Sequence, residues 1–244
     1  MSAGVTLATA LRVAGQLRHD RRTIALVLVV PSALLALLWY LFDNQPETFA
    51  RIGAPMVGIF PLIMMFLLTS IAMLRERTTG TLERLMSMPL AKLDLLFGYG
   101  LAFAFVGAVQ ASVTAAVAFG ALDIETDGPV WAVLALAIAN ALLGMALGLF
   151  VSAFATSEFQ VVQFMPVFIL PQFLLAGLFV PRERMPDVLE RISDFLPFTY
   201  AYEALAKVAA NDIDGRLWLD VGIVAGSSLL ALALGALTLR RRTP

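Results

Sequence analysis

The chain contains no cysteine, one histidine and few charges: 14% of its 244 residues are Asp, Glu, Lys or Arg. Without cysteine there is no disulfide, no thiol nucleophile and no cysteine-held metal. One histidine, His19, cannot build a multi-histidine metal site; it lies among Arg18, Arg21 and Arg22 and reads as a solvated member of a basic cluster. A net charge of -1 leaves no clustered basic face for nucleic acid. The only two lysines, Lys92 and Lys207, both follow alanine, so no G-x-x-x-x-G-K-[ST] loop exists to cradle ATP. The H-E-x-x-H and G-x-S-x-G signatures are also missing. No catalytic constellation emerges, and no metal or cofactor is expected on this chain.

What is present is apolar. The residues are 60% hydrophobic, with a mean hydropathy of +0.86, well above the roughly 45–50% of soluble domains. Six runs carry no charge at all: 23–42, 52–74, 95–122, 128–157, 159–181 and 221–239. A hydrocarbon layer about 30 Å thick needs roughly 20 apolar residues in a helix, so each run can cross once. An ionised side chain at mid-bilayer costs at least about 2.5–3.5 kcal/mol, which explains why the runs exclude charge. The expectation is an all-α integral membrane protein with six spans at about 24–42, 55–74, 95–120, 130–152, 160–180 and 219–239. Lys and Arg set its orientation: eleven fall on the side of the two termini and six on the other, which predicts both termini in the cytoplasm.

Residues 4–20 precede the first span. Leu7, Leu11, Ala14 and Leu17 follow helical spacing, and Arg12, Arg18, Arg21 and Arg22 supply positive charge. This predicts an amphipathic helix on the cytoplasmic face, its basic side toward anionic headgroups, with Val13 off the apolar stripe. The first span is read as uncleaved, because no small-residue cleavage pattern follows it. Trp39 and Tyr40 fit an interfacial aromatic belt. Residues 43–54 read as a short loop. Span 4 is rich in small residues that allow close helix packing. Pro166 and Pro171 predict a kink or break in span 5. In 181–217, Val188, Leu189, Ile192, Phe195 and Leu196 share one helical face, so this segment can lie on or dip into the outer leaflet. A Pro-initiated second helix follows at LPFTYAYEAL. The polar groups inside the runs, Gln110, Asn140, Gln163 and Gln172, are uncharged and read as interhelical hydrogen-bond partners.

No intramembrane acid or base offers coupling to a proton gradient, and no nucleotide loop offers self-powered transport. Energy would have to enter from outside the membrane. The best-organised polar surface for that is 75–94, RERTTGTLERLMSMPLAKLD, with seven charged residues between two apolar runs.

The chain resembles the permease subunit of an ABC-2 type exporter of the bacterial drug and antibiotic efflux kind. Residues 76–89 match the family's E-[RK]-x-x-G-T-[LM]-E-x-L-x-x-[TS]-P pattern, departing only at Met88. The LPFTYAYEAL block matches its outer re-entrant region. The resemblance implies a cytoplasmic coupling helix at about 80–90, seated in a cleft of a separate ATP-binding subunit that holds ATP and magnesium. Leu82, Leu85, Met86 and Pro89 would offer its apolar face. Glu76, Arg77, Glu83 and Arg84 would pair charges at its rim, Gly80 would permit the turn, and Thr81 belongs to the same block. It further implies two permease copies or two related permeases, a bacterial inner or plasma membrane, and an outer re-entrant region at 181–210 whose gate includes Pro197, Tyr200 and Glu203. Phe60, Met64, Phe164 and Phe168 are candidates for an apolar substrate path, since Met and Phe adapt to varied apolar molecules. The expected cargo is a hydrophobic drug, lipid or antibiotic-like molecule. The alternatives are a polysaccharide permease and a membrane scaffold or sensor that anchors a soluble ATPase without transport.

Overall fold

A computed structural model of the protein describes residues 3–81, 84 and 92–238. Among these, all regular secondary structure is helical. The helices are α1 (Ala3–His19), α2 (Arg21–Leu41), α3 (Pro46–Thr78), α4 (Lys92–Ala116), α5 (Val130–Val151), α6 (Glu158–Leu175), α7 (Asp187–Ser193), α8 (Pro197–Ala209) and α9 (Gly215–Thr238). A π-helical turn at Val117–Ala121 extends α4. Six of them, α2 to α6 and α9, are long and apolar enough to cross a membrane. This is the fold class expected from the charge-free runs.

The bundle is built on α3 and α5. Gly144 and Gly148 let the two backbones meet: a Cβ on Gly144 would lie 2.0 Å from the Leu62 carbonyl oxygen, and one on Gly148 would lie 2.5 Å from that of Phe66. Thr69 sits in the same seam, its hydroxyl donating to the Met65 and Met145 carbonyls at 2.6 and 3.2 Å. In lipid no hydrophobic force draws helices together, so close backbone approach and buried hydrogen bonds do this work. One core joins α3 and α5 to α8 through Leu62, Phe66, Leu143, Phe198 and Leu205. A second, at the opposite end, joins α1, α3, α4 and α5 through Val13, Met65, Met73, Tyr99, Phe103 and Met145. The bundle therefore has an α1 end and an α8 end.

Several boundaries differ from the sequence expectation. Residues 46–54 are not loop but the opening turns of α3; Pro46 starts the helix because the first turn has no use for its missing amide. Helix α6 continues through Pro166 and Pro171 without a break. It stops at Leu175, before Gly177, whose φ of +99° ends the helical path several residues short of 180.

Helix α1 packs on the bundle through a face other than the Leu7–Leu11 stripe. Leu7 and Leu11 are 57% and 66% exposed, whereas Thr9, Ala10 and the off-stripe Val13 are buried. Gly98 of α4 creates the seat, since a Cβ there would lie 2.5 Å from Thr9 Cβ. A face of small side chains thus lies toward the bundle, and Leu7 and Leu11 turn outward. Helix α7 leaves Val188, Ile192 and Phe195 exposed, so the apolar face read from the sequence turns away from the protein.

Candidate functional site

At the α1 end, α3 finishes with Arg75, Glu76 and Arg77, three consecutive residues bonded to three different parts of the fold. In an α-helix neighbouring side chains diverge by about 100°. The Arg75 guanidinium donates to both carboxylate oxygens of Glu158, at 2.6 and 3.1 Å, tying α3 to the first turn of α6. Ser157 caps that turn by accepting from the Gln160 amide. Glu76 is 8% exposed and accepts from Arg12 of α1 at 3.2 Å. Arg77 donates to the Thr238 hydroxyl of α9 at 3.2 Å.

Arg12 completes the Glu76 cluster. Its second terminal nitrogen donates to the Tyr99 hydroxyl, and its guanidinium carbon lies 5.6 Å from the Tyr99 ring centroid. Tyr99 in turn stacks on Phe103, with centroids 6.4 Å apart. Arg12, expected to face headgroups, instead points into the bundle as the counter-ion of a buried carboxylate. The neighbouring Asp20 caps α2, and the Thr23 hydroxyl and amide hold its carboxyl below the usual range.

Beyond Thr78, the Thr79 amide bonds to the Arg75 carbonyl, and Gly80 takes a φ of +73°. That left-handed conformation is the usual way a helix ends, and glycine adopts it without strain. The Arg84 amide bonds to the Gly80 carbonyl at 3.1 Å, and Thr81 is half-buried. Leu82, Glu83, Leu85 and Met86 lie outside the described residues.

At the α8 end, Arg182 is the organising residue. It donates to the Ser193 hydroxyl at 2.9 Å, to the Glu203 carboxylate at 2.5 Å and to the Asp194 carboxylate. Burial works against its charge, but Glu203 and Asp194 outweigh that and hold its pKa above the ordinary guanidinium value. Tyr200 donates to the Asp194 carbonyl at 2.7 Å. Burial, then the Asp194 charge, push its phenol up. Pro197 opens α8. The Ala209 carbonyl at the end of α8 receives the Asp127 and Gly128 amides and the Thr126 hydroxyl. Lys207 and the buried Asp220 pair at 2.5 Å and join α8 to α9.

Met64 faces a cavity at the α1 end. Phe60 and Phe164 are half-buried against the core, and Phe168 is 42% exposed, in edge-to-face contact with Phe164 at 6.0 Å. Among the polar groups of the spans, Asn140 bridges elements, donating to the Ala201 carbonyl at 3.3 Å. Gln110 and Gln172 bond within their own helices, and Gln163 is exposed. Sequence reasoning missed Arg12, Tyr99, Glu158 and Arg182 as site residues. For Glu158 and Arg182 the available signal was their position as the charges bounding the 159–181 run; Arg12 and Tyr99 carried no such signal.

Comparison with known proteins places this geometry. The profile of the family described as ABC-2 type transporter matches residues 7–209. The chain is 22% identical over 205 residues to ABC transporter G family member 20 of Dictyostelium discoideum, covering 82% of this chain and 28% of that protein. It is 24% identical over 184 residues to the probable multidrug ABC transporter permease YbhR of Escherichia coli (73% and 50% covered). Identity is also 24%, over 168 residues, with the linearmycin resistance permease protein LnrN of Bacillus subtilis (68% and 43% covered). The chain thus spans half or less of the length of these relatives. Because the family match covers most of the chain, the protein belongs to the ABC-2 type transporter family, and its six apolar helices make it a multi-pass membrane component.

Proposed function

We propose that the chain is the permease subunit of an ATP-driven exporter, with 76–89 as the surface on which a separate ATP-binding subunit acts. The observation that carries this reading is the three-way anchoring of residues 75–77, at the start of the family's motif block. A load applied beyond Gly80 meets a helix end already bonded to α1, α6 and α9. The central pair α3 and α5 then carries it to α8 and the Arg182 cluster, at the far end of the bundle. ATP and magnesium belong to the partner subunit. The membrane is the bacterial inner or plasma membrane, with both termini cytoplasmic and a second permease, identical or related, completing the pathway. The relatives named for multidrug transport and linearmycin resistance favour a hydrophobic drug-like or antibiotic-like cargo over a polysaccharide.

The test is co-purification with an ABC ATP-binding subunit, followed by ATP hydrolysis and flux in reconstituted vesicles. Gly80→Val, which forces a β-branched residue into a left-handed turn, should weaken both capture of the subunit and cargo-stimulated hydrolysis. A complex that forms but hydrolyses no ATP in response to any compound and moves none would assign the chain to a scaffold or sensor role.

A further inference from the structure

Between α1, α2, α3 and α4, at the α1 end, lies a cavity of about 530 Å³. That size suits a small amphiphile, since ligand pockets run from roughly 300 to 1,000 Å³. Its walls are apolar, with Val27, Val30, Met64, Leu68, Ile71 and Phe103 among them. Its polar residues gather toward the end of α3 and the α1–α2 junction: Asp20, Glu76, Tyr99, Thr23 and Arg75. The charges there are not balanced in their availability. Arg75 is engaged by both oxygens of Glu158; both terminal nitrogens of Arg12, which does not line the cavity, are engaged by Glu76 and Tyr99, and its Nε is buried without a partner. Glu76, by contrast, keeps its second carboxylate oxygen buried without a hydrogen-bond partner. A buried carboxylate oxygen lacking a donor is costly and favours any group that supplies one. The second acid, Asp20, stands at the same end, and the stacked Tyr99 and Phe103 rings offer π faces that attract cations.

We infer that this cavity is a binding site for an amphiphile with a protonated amine head and a slender apolar body. The amine lies between Glu76, Asp20 and Tyr99, and the body lies along α2 and α3 against Val30 and Met64. The ammonium donates to the Glu76 carboxylate and competes with Arg12 for it, so occupancy is felt at the residue that fastens α3 to α1. Binding itself is independent of transport; that the bound molecule is cargo on its way out rests on the exporter reading above.

The absence of cysteine makes the test direct, because Ile71→Cys introduces a unique thiol into the cavity wall. The full chain, without any ATPase, is placed in nanodiscs of uncharged phosphatidylcholine, and the rate of N-ethylmaleimide labelling is followed. Dodecylammonium should slow labelling about tenfold, whereas dodecanol and dodecyl sulfate should have little effect, as expected for a charge-assisted hydrogen bond. Leu229→Cys, on the exposed face of α9, should label at one rate throughout. In the Ile71→Cys background, Glu76→Gln should raise the dodecylammonium concentration for half-protection about tenfold. Asp20→Asn, which keeps a capping side chain, should raise it to a lesser degree and serves alone if the Glu76 variant does not fold. No protection, equal protection by all three amphiphiles, equal slowing at Leu229→Cys, or protection unchanged in the folded variants would each overturn the proposal. Because no ATP is involved, a failed exporter test leaves this result standing, and the converse holds.

Discussion

Arg12 and Glu76 are 64 residues apart in sequence and 3.2 Å apart in the fold. The pair fastens the first helix to the end of the third, with Tyr99 closing the triangle. Removing one partner of a buried pair leaves an uncompensated charge, at a cost of about 3–5 kcal/mol when fully buried. Arg12 retains some exposure, so Arg12→Ala should cost less, about 2 kcal/mol. Adding Glu76→Gln should recover part of that loss, with a coupling energy of about 1–2 kcal/mol. Unfolding of the four variants in mixed micelles, followed by circular dichroism, measures the cycle. Strict additivity would show that the pair contributes no interaction energy.

The α3–α5 seam predicts a contrast among glycines. Gly144→Ala or Gly148→Ala would drive a methyl group into backbone carbonyls of α3 and should destabilise by about 1–3 kcal/mol. Gly222→Ala and Gly226→Ala, on α9 with open space around them, should be neutral or stabilising by up to about 1 kcal/mol. Thermal melting in detergent orders the four.

Arg182 holds Ser193, Asp194 and Glu203 with one planar fork. Lysine is a point donor and cannot reproduce that geometry. Arg182→Lys should therefore speed amide exchange over 187–203 about tenfold, consistent with the loss of one or two charge-assisted bonds, and leave α3 unchanged. Unaltered exchange at 187–203 would show that the three bonds do not order this end.

Tyr200 gives this end an alkaline signature. Its folded pKa is raised by burial and then by Asp194, so the neutral phenol is the form the fold favours. The stability it contributes is complete below the unfolded value of about 10 and is lost as pH rises through the folded value. Phenolate absorbance should lose a late-titrating component in Tyr200→Phe. Asp194→Asn should bring that titration to lower pH; no change would exclude the carboxylate as a cause.

The six spans are legible in the sequence because lipid enforces one rule on every residue of a crossing: no unpaired charge. Helix ends are less legible, because hydropathy reports where lipid is and not where backbone hydrogen bonds stop. Residues 46–54 carry Glu47 and Arg51 and still form the start of α3. The inward face of α1 is not legible from Leu7 and Leu11, because the space left by Gly98 admits the narrower side of Thr9 and Val13. The motif block drew attention to Glu76 and Arg77. Their partners, however, are 64 and 161 residues away, and no local pattern records a pairing that only the packing of whole helices creates.

The fan of contacts at 75–77 also limits how α3 can move. A rod held by one side chain is free to spin about it. A rod held on three sides, by α6, α1 and α9, resists torsion, because any rotation stretches one tether as it slackens another. Force delivered beyond Gly80 is then converted into thrust along the helix or tilt of its end, and twist is filtered out before it reaches the bundle.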